Sequence, residues 1–157
     1  MNEIEKFNAE VNANIKSLGE DLSVKQITSE WIEATIPLRY TYNYSWLGRP
    51  IIQYPQDIVA LQEIIWRVKP DLIIETGIAH GGSLVLSASI LALLEYQEAF
   101  ENKIVLDPQN PNRRVLGIDI DIREHNRQAI EAHSMSSRIE LFQGSSVDES
   151  IVDQVQK

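Results

Sequence analysis

A turn with three glycines joins a short apolar run to a long apolar segment in the stretch Asp71-Leu-Ile-Ile-Glu-Thr-Gly-Ile-Ala-His-Gly-Gly-Ser83. The pattern predicts a buried strand over residues 71–76 and a long, nearly all-apolar helix over residues 83–100. Gly77 has no Cβ atom, so a ligand can approach the backbone there. The segment 81–83 falls at the helix N-terminus, where free N–H groups and the helix dipole favour a carboxylate or a phosphate. Strand, turn and helix together therefore predict a ligand-binding loop.

Glu75 lies near the end of the predicted strand, where open α/β sheets bind their ligands. Its carboxylate would repel a phosphate group and attract an ammonium group. Because the neighbouring helix N-terminus favours a carboxylate, the ligand that suits both features carries an ammonium and a carboxylate, as an amino acid does. A purely structural alternative stays open, in which Glu75 only caps the helix and the glycines only permit a tight turn.

The chain continues with alternating strand and helix patterns. Strands are predicted at 115–120 and 138–142, a polar-faced helix at 123–132, and a further helix from residue 148 onward. This alternation predicts a parallel sheet with right-handed crossovers. The predicted fold class is α/β and Rossmann-like, with three parallel strands in the order 3-2-1 and flanking helices.

Two further candidate residues follow the second and third strands. Asp119 ends the second strand and is placed to accept hydrogen bonds from a ribose diol; the alternative is a solvated surface acid. Ser145 follows the third strand, near the place that an adenine would take in this arrangement. An amino-acid moiety at the first turn and a ribose at the second strand together describe S-adenosylmethionine.

A nicotinamide dinucleotide is the alternative cofactor. Gly77, Ala79 and Gly82 satisfy a loose G-x-A-x-x-G fingerprint. That fingerprint expects its ribose-binding acid about 20 residues further on, whereas Asp119 lies 37 residues past Gly82. Glu75 would also stand close to the pyrophosphate. These residues favour S-adenosylmethionine and leave an NAD-linked oxidoreductase fragment as the alternative.

Residues 1–56 are predicted to form a helical and aromatic extension ahead of an α/β domain at 57–157. An aromatic side chain at every second position from Tyr40 to Trp46 indicates an extended segment. The turn signal Gly48-Arg49-Pro50 follows. Arg49 is predicted either to bind an anionic substrate group or to form a structural salt bridge.

The composition excludes several classes of function. The chain has 157 residues, roughly one domain, and a formal net charge of −9, which disfavours broad binding to nucleic acids or anionic membranes. It has no cysteine, so disulfides, thiolate metal sites and a cysteine nucleophile are ruled out. The N-terminus lacks the pattern of a signal peptide, and the most apolar stretch, 84–94, is about half a membrane span in length. A cytoplasmic domain with no membrane span and no nucleic-acid partner is predicted.

The glycine loop and its flanking segments resemble a known family. The segments LIIETGIAHGGS at 72–83, YNYSWLGRPIIQYPQD at 42–57 and VLGIDIDIREHNRQAIEAH at 115–133 are similar to the cephalosporin hydroxylase and rhamnosyl O-methyltransferase family. That family belongs to the class I S-adenosylmethionine-dependent methyltransferases, and the likeness runs from about Trp31 to the C-terminus. It implies a seven-stranded sheet with helices on both faces, and methyl transfer to a hydroxyl of a sugar or specialised metabolite.

The resemblance also implies roles for individual residues. Asp119 matches the ribose-binding acid, and Ser145 stands where many methyltransferases carry an acid near the adenine. Family members are expected to hold a magnesium ion on carboxylates of later strands, beyond this chain, so no metal ligand and no catalytic residue is assigned within it. The residues that match the cofactor-binding loop are Glu75, Gly77, Gly81, Gly82 and Ser83.

The chain stops in the opening turns of a helix after the third strand. It is therefore expected to be the cofactor-binding half of a longer enzyme, with an inactive remnant that acts as a binding module as the alternative. The strand at 71–76 would then leave one edge without a partner. Because such an edge pairs readily with another chain, a homo-oligomer is predicted, and a small-molecule or sugar acceptor is the other expected partner.

Overall fold

The computed structural model describes residues 2–155. It divides into two compact units, Met1–Tyr40 and Thr41–Lys157. The domain boundary predicted after residue 56 stays a prediction, and residues 156 and 157 of the predicted α/β domain lie outside the described residues.

The first unit consists of two helices, α1 (Glu3–Glu20) and α2 (Leu22–Thr35). Each helix begins at a side-chain cap that satisfies backbone N–H groups left free by the first turn. Asn2 and Glu5 form a reciprocal capping box at the start of α1, and Asp21 accepts two backbone N–H groups at the start of α2. The helical pattern predicted for the N-terminal region is thus confirmed.

The second unit opens with a hairpin of two short antiparallel strands, β1 (Tyr44–Trp46) and β2 (Arg49–Ile51). Leu47 and Gly48 form its two-residue turn with φ values of 45° and 86°, as a tight hairpin turn with both central residues at positive φ requires. The extended segment predicted from Tyr40 is wrong in its first half, because Tyr40–Tyr42 is a short 3-10 helix. Of the turn predicted at Gly48-Arg49-Pro50, only Gly48 lies in the hairpin turn, and Arg49 and Pro50 belong to β2.

A three-stranded parallel sheet forms the centre of the second unit, in the order β3-β4-β5. The predicted α/β class and the 3-2-1 strand order are confirmed. The strands are β3 (Leu72–Thr76), β4 (Arg114–Asp119) and β5 (Ile139–Gln143). The helices are α3 (Pro55–Val68), α4 (Gly82–Asn102), α5 (Glu124–Glu131) and α6 (Glu149–Val155), and a 3-10 turn covers Ser136–Arg138.

Helix α4 supplies much of the hydrophobic core and packs against the hairpin, α3 and the sheet. Leu84, Leu91 and Leu94 are at most 1% exposed. By length and composition alone α4 could cross a membrane, but 61% of its most apolar window is buried inside the fold, as in the core helix of a soluble protein. The predicted long buried helix is confirmed.

Strand β3 is buried on one face only. Ile73 and Glu75 are half-buried, whereas Leu72 and Ile74 on the opposite face are 41% and 51% exposed. The fully buried strand predicted from the apolar run is therefore corrected, because successive side chains of a strand point to opposite faces. Within residues 2–155, β3 pairs only with β4 and lies at an edge of the sheet.

Candidate functional site

The loop 77–81 connects the end of β3 to the start of α4 and has an unusual backbone. Gly77, Ala79 and Gly81 have φ values of 77°, 47° and 80°. Glycine adopts such values without strain, whereas alanine does so only where surrounding contacts hold it. Gly81 is the N-cap of α4, so the chain enters the helix directly from this loop. The sequence prediction of a strand, a glycine turn and a helix is confirmed.

Glu75 lies beside this loop with its carboxylate accepting a hydrogen bond from the hydroxyl of Ser83. Both side chains line a cleft of about 310 Å³, together with Gly77. A Cβ atom placed on Gly77 would meet nothing within 4 Å, so the backbone there faces open space. Burial raises the pKa of Glu75 above its usual value, and the hydrogen bond from Ser83 only partly opposes this. The cleft thus combines a desolvated carboxylate, a hydroxyl and an exposed stretch of backbone.

Asp119 holds the loop from the end of the neighbouring strand. Its Oδ2 accepts the backbone N–H of Ile78 at 2.8 Å, and its Oδ1 accepts the N–H of Asp121 at 3.1 Å. Asp119 is half-buried and bonded to the backbone, and its role toward a ligand stays a prediction. Asp119 and Asp121 also line a second cleft of about 280 Å³, which shares Ala79 and His80 with the first. Each carboxylate oxygen has two lone pairs, so Asp119 retains capacity to accept from a ligand hydroxyl.

Ser145 lies at the same edge of the sheet but lines neither of these two clefts. The adjacent Gly144 donates its N–H to the Asp119 carbonyl at 2.9 Å, which places the turn after β5 beside the end of β4. The Ser145 carbonyl accepts from the N–H of Asp148 at 3.0 Å, in the turn that leads to α6. An adenine contact for Ser145 stays a prediction.

Gly81 and Gly82 are buried rather than exposed to a ligand. A Cβ atom on Gly82 would lie 2.2 Å from the Pro50 carbonyl oxygen, and one on Gly81 would lie 2.4 Å from Ile130 Cδ1. Both positions therefore need glycine because other segments pack against the start of α4. The cofactor-loop role that the resemblance implies for these two residues stays a prediction, and their direct packing role was not foreseen.

The hairpin and α5 contribute Arg49, which the sequence singled out for other roles, and Asn126, which the sequence alone did not identify. Arg49 donates from Nε to the His80 carbonyl at 3.1 Å and from Nη2 to Asn126 Oδ1 at 3.2 Å. Neither predicted role of Arg49, anion binding or a salt bridge, matches these contacts with neutral acceptors. Asn126 is 4% exposed and in turn donates to the Ala79 carbonyl at 3.0 Å. The one signal in the sequence that could have identified Asn126 is a polar residue on the buried face of an amphipathic helix.

No cluster of three or more His, Asp or Glu side chains that could hold a metal ion occurs within residues 2–155. The carboxylates at the carboxyl edge of the sheet, Glu75 and Asp119, are occupied by hydroxyl or backbone N–H donors.

Comparison with known proteins gives a family match and two similar structures. The family described as Rhamnosyl O-methyltransferase/CmcI matches residues 38–157. The solved structure "CmcI-N160 apo-structure" has 20% identity and a TM-score of 0.51, covering 74% of this chain and 42% of the other. The structure "cmcI-N160 SAH" has 21% identity and a TM-score of 0.47, covering 70% of this chain and 47% of the other. The chain spans less than half the length of these structures, and no curated protein matches it.

Proposed function

Because this chain belongs to the rhamnosyl O-methyltransferase/CmcI family, we propose that it forms the cofactor-binding part of an S-adenosylmethionine-dependent O-methyltransferase. The observation that carries the proposal is the cleft in which the Glu75 carboxylate, the Ser83 hydroxyl and the open backbone at Gly77 meet. The family membership gives no support to the NAD-linked alternative.

Each polar group of the cofactor has a counterpart in this part of the chain. The desolvated carboxylate of Glu75 suits the ammonium of the amino-acid moiety, and the backbone N–H groups at the start of α4 suit its carboxylate. Asp119 suits the ribose diol, since its oxygens retain free lone pairs. Ser145 is the proposed neighbour of the adenine. Bound in this way, the cofactor would have its two halves on either side of Ala79 and His80, which line both clefts.

The cofactor supplies the methyl group, and the residues of this chain bind and orient it. Holding two reactants in line lowers the barrier by removing their freedom to move apart. The acceptor is proposed to be a hydroxyl of a sugar or a specialised metabolite. A base or a magnesium ion that would activate this hydroxyl is proposed to lie outside residues 2–155. Formation of a homo-oligomer through the exposed edge of β3 stays a prediction.

Gly77→Leu is expected to weaken binding of S-adenosylhomocysteine at least tenfold in calorimetric titration, because the leucine side chain would occupy the open space of the cleft. The matched control is Gly48→Leu in the hairpin turn. Gly48 also has a left-handed backbone, with φ 86°, and a Cβ atom there would likewise meet nothing within 4 Å. Both variants therefore incur similar backbone strain, and only the first fills the cleft.

Equal affinity in wild type and Gly77→Leu would mean that the loop is only a turn. Titration of the wild-type chain with NAD provides the second arm of the experiment. Binding of NAD without binding of S-adenosylhomocysteine would overturn the proposal in favour of the oxidoreductase alternative, and binding of neither would favour a module without this cofactor.

Glu75→Gln is expected to stabilise the ligand-free chain at neutral pH. It is also expected to weaken binding of S-adenosylhomocysteine about tenfold, because a charge-assisted hydrogen bond contributes about that much to affinity. Burial raises the pKa of Glu75, so the folded state retains the proton to higher pH than the unfolded state. The wild-type chain therefore loses stability as the pH rises from the usual glutamate pKa through the raised one. The Glu75→Gln variant does not lose stability in this way, and its side-chain oxygen still accepts the hydrogen bond from the Ser83 hydroxyl.

Thermal unfolding of both proteins across this pH range tests the expectation. The melting temperatures of wild type and variant should converge at acidic pH, where Glu75 is protonated in both the folded and the unfolded wild-type chain. They should separate as the pH rises. A constant difference at all pH values would show that ionisation of Glu75 does not contribute.

A further inference from the structure

Two consecutive carbonyl groups of the loop 77–81 are held by side chains from distant segments. Asn126 on α5 donates from Nδ2 to the Ala79 carbonyl at 3.0 Å. Arg49 on β2 donates from Nε and Nη2 to the His80 carbonyl. The two side chains also bond to each other, through Arg49 Nη2 and Asn126 Oδ1 at 3.2 Å. They form one hydrogen-bonded unit, which we call the Arg49–Asn126 clasp.

The clasp acts on the part of the loop that has the least intrinsic stability. Ala79 adopts a left-handed conformation with φ 47°, which costs about 1–2 kcal/mol for a residue with a Cβ atom. Such a conformation persists only where neighbouring groups hold it. Asp119 holds the peptide between Gly77 and Ile78 through the N–H of Ile78, and the clasp holds the two peptides that follow Ala79.

Fixing these carbonyls also fixes the opposite side of each peptide. A peptide group is planar and trans, so its N–H points away from its C=O. With the Ala79 carbonyl directed at Asn126, the N–H of His80 is directed away from α5. With the His80 carbonyl directed at Arg49, the N–H of Gly81 is placed to donate to the Ile78 carbonyl at 2.7 Å, which closes the turn.

The contacts of Arg49 argue for positioning rather than ion pairing. Its guanidinium donates to neutral oxygen atoms, and no carboxylate among residues 2–155 lies within ion-pair distance of it. A planar guanidinium has several donors in a fixed arrangement, so it can hold one carbonyl and orient a second side chain at the same time.

We propose that Arg49 and Asn126 are positioning residues that keep the loop 77–81 in its ligand-binding shape before the ligand arrives. The identity of the ligand in this inference rests on the proposed function. The geometry of the clasp does not depend on it. Arg49, which lies on β2 ahead of the first strand of the parallel sheet, is by this proposal part of the cofactor site. Preorganising a loop raises affinity because binding no longer has to order it.

The test combines local hydrogen exchange in the free chain with calorimetric titration of S-adenosylhomocysteine. In Arg49→Met and in Asn126→Leu, the amides of Ile78 and Gly81 are expected to exchange at least tenfold faster, while the amides of β3 and β4 keep their wild-type rates. The affinity for S-adenosylhomocysteine is expected to fall about tenfold in each variant. The double variant should lose less than the two single losses combined, because the two side chains share one network.

Arg127→Met is the matched control for loss of an arginine. Arg127 lies on α5 next to Asn126 in sequence, pairs with Glu131 and does not contact the loop. It should change neither the loop exchange nor the affinity. Faster loop exchange with unchanged affinity would show a merely structural clasp, and lower affinity with unchanged exchange would show direct ligand contact; either result overturns the proposal. If the wild-type chain does not bind S-adenosylhomocysteine, the proposed function fails, whereas the exchange rates still decide whether the clasp orders the loop.

Discussion

Gly82→Ala is expected to lower the free energy of unfolding of the second unit by about 3 kcal/mol, because overpacking of a closed contact costs about this much. The new methyl group would lie 2.2 Å from the Pro50 carbonyl oxygen and 2.7 Å from its carbon. Both are backbone atoms, so no side-chain rotation relieves the clash. The hairpin would have to move away from α4.

Movement of the hairpin would break contacts that hold it to the rest of the unit. Ile51 is 1% exposed in the core, and Trp46 donates from Nε1 to the Ser89 hydroxyl at 3.0 Å. Full exposure of one isoleucine side chain alone costs about 1.5–3 kcal/mol. Arg49 would also lose its hydrogen bonds to the His80 carbonyl. Gly82→Ala should therefore also weaken binding of S-adenosylhomocysteine.

Chemical denaturation followed by tryptophan fluorescence measures this loss, and Gly19→Ala is the control. Gly19 also lies in a helix, α1, but a Cβ atom there would meet nothing within 4 Å. That variant should be as stable as wild type or slightly more so, since alanine favours a helix over glycine. A Gly82→Ala chain with wild-type stability would show that the hairpin does not press on α4 at Pro50.

The sequence predicted those parts of the fold that depend on local pattern. Alternating apolar and polar segments located β3, α4, β4, α5 and β5 to within a few residues, because each element buries one face or is buried entirely. The glycine turn after β3 was predictable because left-handed backbone and close packing both require glycine.

Contacts between residues far apart in the chain were not predictable. Arg49 and the His80 carbonyl are separated by 31 residues, and Asp119 and the Ile78 N–H by 41. No periodicity encodes which carbonyl an arginine will contact. The aromatic spacing suggested one extended segment from Tyr40 to Trp46, whereas Tyr40–Tyr42 forms a 3-10 helix and only Tyr44–Trp46 forms a strand. Candidate site residues could be named from type and position, but their mutual anchoring could not.

Glu95, a buried acid of helix α4, is a second feature that its sequence context left unexplained. It is 4% exposed, and its Oε1 accepts the N–H groups of Asn112 and Arg113 at 2.9 and 2.7 Å. Its Oε2 pairs with Arg138 at 2.8 Å, and Arg138 is itself 4% exposed. This buried ion pair connects α4 to the starts of β4 and β5, at the end of the sheet opposite the clefts.

Glu95→Ala is expected to lower the free energy of unfolding by about 3–5 kcal/mol, since removing one partner leaves a buried charge without compensation. Two backbone N–H groups would also lose their acceptor. The control is Glu140→Ala on β5. Glu140 also pairs with an arginine, Arg114, but the side chains of Glu140 and Arg114 are 43% and 55% exposed, so water can replace the carboxylate and the loss should be at most about 1 kcal/mol.

The pH dependence of stability separates the contribution of the Glu95 charge from that of its hydrogen-bond acceptors. Burial by itself raises the pKa of Glu95, but the hydrogen bonds and charge of Arg138 and the N–H of Arg113 outweigh it, so the pKa is lowered. The stabilisation is therefore complete above the usual glutamate pKa and is lost as the pH falls through the lowered value. Glu95→Gln retains an acceptor for the two N–H groups but cannot ionise, so its stability should fall less steeply on acidification than that of wild type. Parallel acid-unfolding curves for the two proteins would show that the Glu95 charge does not stabilise the fold.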